Sequence, residues 1–371
     1  MSNVYIKTKI LSGHYGMEYL RTIRNKQIMI VCDKFLSEGG AINYIMDLLD
    51  SSNRIKLFDE AIPDPTIEVV GKGLRVICKE PPNVVIGFGG GSAIDTAKGI
   101  LYFAGVKKLI PSPLFITIPT TSGTGSEVTS VAVITDSESK CKHLVSSEDI
   151  LADVAILDSR LTLTVSPSVT ANTGMDVLTH ALEAYVATKA NVFSDALSEK
   201  SVELLFKELL NCYKDGKNLE ARTAMHEAST LAGMAFNTAG LGVNHSIAHQ
   251  LGGTFHVPHG LANAMLLNKV IDYNCANHSI MRRYAALAYN VHVAGKEEAP
   301  EKAVAALKEM IEMLMRSMNM PSSIRELNIG LEKYVNQLPN MIHNTLMDHC
   351  LATTPREIGR EGIRDILLSI Y

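Results

Sequence analysis

The chain has no excess of positive charge: 35 Lys and Arg stand against 39 Asp and Glu, a formal net charge of −4. A nucleic-acid binder needs a basic field, so no nucleic-acid partner is expected. The six cysteines, Cys32, Cys78, Cys141, Cys212, Cys275 and Cys350, lie far apart with no C-x-x-C among them. That leaves no thiolate metal motif and fits reduced thiols in a cytosol. No apolar run is long enough to span a bilayer, and the opening MSNVYIKTKI lacks the basic-then-apolar order of a secretory signal. The expectation is a cytoplasmic chain without a membrane partner. Internal repeats, low-complexity tracts and long charge runs are also missing. What remains is an ordinary globular balance, 46% apolar and 20% charged over 371 residues, enough for two domains with a sizeable core.

Two textures divide the chain. QIMIVCD (27–33), RIKLFDEAI (54–62), NVVIGFGGG (83–91), LFITIPT (114–120) and VTSVAVITD (128–136) read as strands. Helical spacing falls between several of them, at 42–49, 67–79 and 93–105. This rhythm predicts a parallel sheet with helices on both faces. From Pro167 onward the apolar spacing is mostly helical, as in VLTHALEAYVA and AVAALKEMIEMLMRSM. The expected division is therefore an α/β domain over 1–164 and an all-helical domain over 165–371, with a ligand cleft where the two meet.

Two loops in the first part suit a phosphate-bearing cofactor. Gly87-Phe-Gly89-Gly90-Gly91-Ser92 follows a strand and opens a helix. Bare backbone N–H groups and the positive end of a helix would welcome a pyrophosphate there. A tight strand-to-helix turn would look the same. The pattern also departs from the usual dinucleotide fingerprint, because no acidic residue ends a strand about 20 residues later. Asp33, ending an earlier strand, is the candidate acid for a ribose; it would repel a 2′-phosphate and favour NAD over NADP. No G-K-[ST] follows, so the turn is not a P-loop. The second loop, Pro119-Thr-Thr-Ser-Gly-Thr-Gly-Ser126, adds hydroxyls and glycines after another strand.

The second part crowds imidazoles. GLGVNHSIAHQLGGTFHVPHGLAN (240–263) holds His245, His249, His256 and His259 in a nearly uncharged stretch. Upstream, Asp176 and His180 are spaced i, i+4 on one helix face, a spacing that His245 and His249 repeat. One carboxylate with several imidazoles and no sulfur suits Fe(II) or Zn(II) with a position open to substrate. A lone Asp/His pair is more often only hydrogen-bonded, and the pattern alone does not say which of the cluster bind metal.

FGGGSAIDTAK, IPTTSGTGSEVT, ANTGMDVLTHALEAY, STLAGMAFNTAGLGVNHSIAHQLGG and HVPHGLANA occur in an order that resembles the iron-containing (group III) alcohol dehydrogenases over almost the full length. Within that family the motifs resemble most the branch serving propanediol-utilising bacterial microcompartments. The resemblance implies a Rossmann-like sheet domain followed by an all-helical metal-binding domain, as in dehydroquinate synthase-like architectures. It implies Asp176, His180, His245 and His259 as metal ligands. His249 is implied as a residue near substrate and nicotinamide that belongs to a proton relay. For NAD, it implies Asp33 at the adenosine ribose, Gly90, Gly91 and Ser92 at the pyrophosphate, Thr120, Thr121 and Thr124 in the second loop, and Lys142 near the ribose. Asp64 stands where relatives often have Asn near the adenine. His256 receives no role beyond the structural or the pocket rim.

The activity so implied is NADH-linked reduction of a short-chain aldehyde to its alcohol, and the reverse. Iron is the metal the family favours, with zinc as the alternative. Val131 and Phe236 are implied as pocket residues; both are apolar, which suits an unbranched aldehyde such as propanal better than a diol. A related polyol, lactaldehyde or butanol dehydrogenase is the nearest competing activity. Dehydroquinate-synthase-like lyases share the architecture, but no basic cluster surrounds the histidine-rich stretch to hold a phosphate-bearing acid. A non-enzymatic, shell-associated metal-binding protein is the reading from another class. The resemblance also implies a homodimer or larger assembly, and packaging with microcompartment enzymes or shell proteins.

Overall fold

The computed structural model describes residues 5–138 and 142–371, apart from the side chain of Lys142. It divides into two compact units, 5–164 and 165–371.

The first unit begins with β1 (Lys9–Ser12) and β2 (Gln27–Asp33), then two short helices, α1 (Lys34–Glu38) and α2 (Ala41–Met46). β3 (Arg54–Ala61), α3 (Ile67–Lys79), β4 (Val84–Gly89), α4 (Gly91–Val106) and β5 (Leu114–Pro119) follow. The unit closes with β6 (Val131–Thr135), β7 (Lys142–Ser146) and β8 (Val154–Leu157). Six of these strands form one sheet in the order β1-β8-β5-β4-β2-β3, every pairing parallel. Successive residues of β2 supply opposite faces: Ile28 and Ile30 pack with Ile42, Ile45 and Ile86, while Met29 and Val31 pack with Val70, Ile77 and Ile100. A strand buried on both sides reads as a continuous apolar run, which is why QIMIVCD carries no polar alternation.

One strand expected in the sheet lies elsewhere. The stretch 128–136 forms a helical turn at Ser126–Val128 and then β6, which pairs antiparallel with β7 in a separate two-stranded ribbon. β1 and β8, four residues each, complete the parallel sheet instead. The periodicity of VAVIT predicts an extended segment, but it carries no information about which neighbour will pair with it.

The second unit is built of α5 (Pro167–Val186), α6 (Val192–Lys214), α7 (Leu219–Ala239), α8 (Val243–Phe255) and α9 (His259–Cys275). α10 (His278–Asn290), α11 (Pro300–Ser317), α12 (Leu331–Met347) and α13 (Arg360–Ser369) complete it. Ser166 caps α5 through the Val169 N–H, with Pro167 in the first turn where a missing donor costs nothing. Asn191 and Ser194 form a reciprocal capping box at the start of α6. α5 is the central helix, packed against α6, α7 and α9 and buried continuously from Gly174 to Val186. Asp176, His180 and Glu183 are thus polar groups inside a core of Met175, Leu178, Leu182, Leu205 and Ile247. Buried polar groups must find partners, so they mark where chemistry is built. Among the described residues no helix is long and apolar enough to cross a membrane.

Candidate metal centre and cofactor loops

Three helices of the second unit deliver the imidazoles to one point. Asp176, His180 and Glu183 project from one face of α5, at steps of four and three residues. α8 brings His245 and His249, and the first residue of α9 is His259. His245 Nε2 lies 3.7 Å and His259 Nε2 3.5 Å from Asp176 Oδ1. The His180 and His245 rings stack with centroids 4.6 Å apart. One donor atom each of Asp176, His180 and His245 falls within 4.8 Å of the others. Metal–ligand bonds of about 2.1 Å in a tetrahedral array place neighbouring donors about 3.4 Å apart. The donor spacing and the N/O donor chemistry therefore fit a divalent iron or zinc ion. All four side chains that the sequence nominated as ligands come together here.

Packing fixes the approach of the helix that carries His259. A Cβ at Gly260 would lie 1.9 Å from the Asn172 carbonyl oxygen of α5. Only glycine lets the start of α9 approach the backbone of α5 so closely.

Other residues in the centre carried no nomination. Glu183 is buried and spans the start of α8: Oε1 accepts the Asn244 N–H at 2.7 Å, and Oε2 lies 2.5 Å from His245 Nδ1. An acceptor-only carboxylate requires the proton on Nδ1, leaving the Nε2 lone pair for the centre. Burial lowers the pKa of His245, but its hydrogen bonds to Asp176 and Glu183 raise it to about 9 in the metal-free protein. For Asp176, burial works upward, yet His180, His259 and His245 hold its carboxyl well below the usual range. Asn263, also buried, donates Nδ2 to Asp176 Oδ1 at 2.7 Å, with His245 Nε2 at 3.1 Å and His259 Nε2 at 3.2 Å. Asn244 donates to Asn263 Oδ1 at 2.9 Å and so sets which way the amide faces.

His249 sits beside the cluster. Its ring stacks on that of His259 with centroids 5.3 Å apart, and Nδ1 lies 2.8 Å from Asp348 Oδ2. Cys350 lies nearby, but burial pushes its thiol well above the ordinary value. His249 and Asp348 thus form a hydrogen-bonded pair. Phe236 stacks on His180 at 4.6 Å, which puts an apolar ring against one of the nominated ligands. His256 is apart from all of this. It ends α8 in the left-handed conformation, φ 56°, and is exposed.

In the first unit the candidate cofactor residues meet at the carboxyl ends of neighbouring strands. Asp33 ends β2, which pairs with β4; Gly89 ends β4 and is paired with Pro119 at the end of β5. The connections from β2 and β4 run to opposite sides of the sheet, the switch point where open α/β sheets bind ligands. Gly90 is the N-cap of α4 and brings no capping oxygen to compete with an anion for its first N–H groups. A Cβ on Gly91 would lie 2.7 Å from Thr124 Cγ2, and one on Gly90 3.3 Å from Thr121 Oγ1, so the two loops interlock. Thr120 donates its N–H to the Gly89 carbonyl at 3.0 Å. Ser92 lies in the first turn of α4. Asp33 Oδ1 also accepts the Leu36 N–H at 2.9 Å. Asp64 has φ 52°, a conformation that Asn and Asp tolerate best among residues with a side chain. Lys142 opens β7, and its side chain lies outside the described residues.

Beneath the loops, α4 carries a half-buried Asp95 and a fully buried Lys98. Asp95 accepts from Ser126 Oγ at 2.6 Å and from the Val133 N–H at 3.0 Å. Lys98, inaccessible to solvent, donates to the Thr129 carbonyl at 2.6 Å, Thr129 Oγ1 at 3.0 Å and the Val131 carbonyl at 2.9 Å. Together they tie the second loop and the start of β6 to the helix that bears the glycine turn. Burial lowers the Lys98 amine to about 8, a shift that Asp95 and Glu127 only partly oppose.

The chain is similar to known proteins over almost its whole length. Residues 8–159 match the family described as iron-containing alcohol dehydrogenase, and 170–371 match its C-terminal region. The chain is 44% identical over 367 residues to 1-propanol dehydrogenase PduQ of Citrobacter freundii, covering 99% of each. It is 35% identical to an NADPH-dependent butanol dehydrogenase of Clostridium saccharobutylicum, covering 98% of this chain and 96% of that one. Alcohol dehydrogenase from Oenococcus oeni superimposes with a TM-score of 0.91 at 31% identity, covering both chains completely.

Proposed function

Because the chain belongs to the iron-containing alcohol dehydrogenase family, we propose that it reduces a short unbranched aldehyde, propanal foremost, to the primary alcohol with NADH, and catalyses the reverse oxidation. The observation that carries this reading is the convergence of Asp176, His180, His245 and His259 on one point, with the Phe236 ring against His180.

In this reading those four side chains hold Fe(II), with zinc as the substitute ion. When bound, such an ion supplies the Lewis acidity that polarises a carbonyl group. Glu183 and Asn263 orient the ligands. Phe236 accepts the alkyl chain in this reading, and Val131 is a second apolar residue proposed for the substrate; neither side chain offers a partner to a second hydroxyl. Asp33 takes the adenosine ribose and repels a 2′-phosphate; Gly90, Gly91 and Ser92 cradle the pyrophosphate, and Thr120, Thr121, Thr124 and Lys142 complete the cofactor site. When bound, NADH would supply the hydride that reduces the carbonyl carbon, and His249 provides the proton that the carbonyl oxygen takes up. We extend the reading to a homodimer or larger assembly packaged in a bacterial microcompartment, on the strength of the family branch.

An anaerobic assay of the iron-loaded protein over C2–C5 aldehydes, with NADH and NADPH, tests the activity. The expected result is the highest kcat/KM with propanal and NADH. Neighbouring chain lengths should fall by about 1–3 kcal/mol per methylene, a preference rather than exclusivity. Full activity after exhaustive chelation, or a preference for NADPH, would overturn the reading.

A further inference from the structure

Asp348 sits where α12 ends and a short helical turn, His349–Thr353, begins. Its Oδ1 caps that turn through the Cys350 N–H at 2.9 Å and accepts from Ser246 Oγ at 3.2 Å. Ser246 and His249 are one turn apart on α8, so the carboxylate meets both on the same face. Oδ2 is committed to His249 Nδ1 at 2.8 Å. Side-chain exposure is 14% for Asp348 and 26% for His249, so water competes weakly for either. A carboxylate whose two oxygens both accept leaves only a donor role for Nδ1. Nε2 is then the nitrogen at which a proton is given or taken, and the ring cannot turn over without breaking the pair.

We propose that Asp348 is a positioning residue for proton transfer at His249. It holds the imidazole in one rotation and in the Nδ1–H tautomer, and so presents Nε2 to the reacting oxygen. The inference rests on His249 being the proton donor of the reading above. In aldehyde reduction the hydride pair forms the new C–H bond, and the carbonyl π pair moves onto oxygen. That oxygen takes the proton from Nε2–H. The ring is left neutral with Nδ1–H still donated to Asp348, and solvent returns a proton to Nε2. Alcohol oxidation runs the same steps backwards.

Asp348→Asn separates positioning from capping. Asparagine caps a helix as well as aspartate, so the Cys350 N–H keeps its acceptor, while the new NH2 faces Nδ1 and enforces the opposite tautomer. The expected outcome is a kcat lower by about 10–100-fold, with metal content, Tm and the KM for NADH unmoved. In a His249→Ala background the same substitution should add no further loss. Nitrogen NMR of the zinc-loaded wild-type chain offers a second readout and should show His249 protonated at Nδ1. Wild-type kcat in Asp348→Asn, a full additional loss in the double variant, or a wild-type ring protonated only at Nε2 would overturn the proposal. Failure of the underlying reading looks different: His249→Ala alone would then keep normal turnover, and the proposal would fall with it.

Discussion

Glu183 has no place among the four proposed ligands, yet it decides how one of them is presented. With Oε2 at 2.5 Å from His245 Nδ1 and Oε1 on the Asn244 N–H, it fixes both a tautomer and the start of a helix. Glu183→Gln keeps the volume but removes the charge and can offer Nδ1 a donor instead of an acceptor. Metal affinity, measured by competition with a chelator, should weaken by about 10–100-fold. Unchanged affinity would reduce Glu183 to a helix cap. At this scale the sequence was informative where spacing encodes a shared face. Asp176 with His180 and His245 with His249 advertise themselves at four-residue intervals, and Glu183, seven residues beyond Asp176, extends the first row. Asn263 could not be read this way, because an amide takes its role only from its surroundings. Asp348 was illegible for another reason: 99 residues separate it from the histidine it contacts.

Among the elements, α4 does two jobs. Its first turn belongs to the proposed cofactor site, and its half-buried Asp95 and buried Lys98 hold the second loop of that proposed site. Lys98→Met strands three acceptors and removes the counter-charge of Asp95. Leaving these acceptors without their donor should cost about 1–3 kcal/mol in denaturant unfolding and weaken NADH binding measured by fluorescence. The pH dependence has a definite sign. The folded state lowers the Lys98 pKa from 10.5 to about 8, so it binds fewer protons than the unfolded chain between those values. Wild type should therefore gain stability relative to Lys98→Met as pH rises from about 8 towards 10.5. A constant difference across that range would show that the amine is not desolvated. The elements themselves were mostly legible: the helix at 67–79 follows from its apolar spacing, and the strand at 27–33 from its unbroken apolar run. β6 was legible as a strand but not as half of a ribbon, because partner choice depends on loop geometry elsewhere.

On the scale of the whole chain, the two candidate sites fall in different compact units. NADH should slow amide exchange chiefly within 5–164, and iron or zinc chiefly within 165–371. At ligand concentrations a hundredfold above Kd the stabilisation is about 2.7 kcal/mol, roughly a hundredfold slowing for amides that open only globally. Metal-dependent protection confined to the sheet unit would contradict the assignment of ligands to α5, α8 and α9.

The pairing of β1 with β8 has a further consequence for how the polypeptide comes into being. Lys9 is made well before its neighbour Val154, which follows the other strands of the sheet unit. Until then the first strand has no lateral partner, and the rim of β5 that β8 will cover lies open. Closing so large a span is entropically slow, whereas the proposed metal ligands come from helices separated by a shorter stretch of chain. Nascent chains stalled before Leu157 should consequently be the ones that need chaperone protection, more than those stalled anywhere in the helical half.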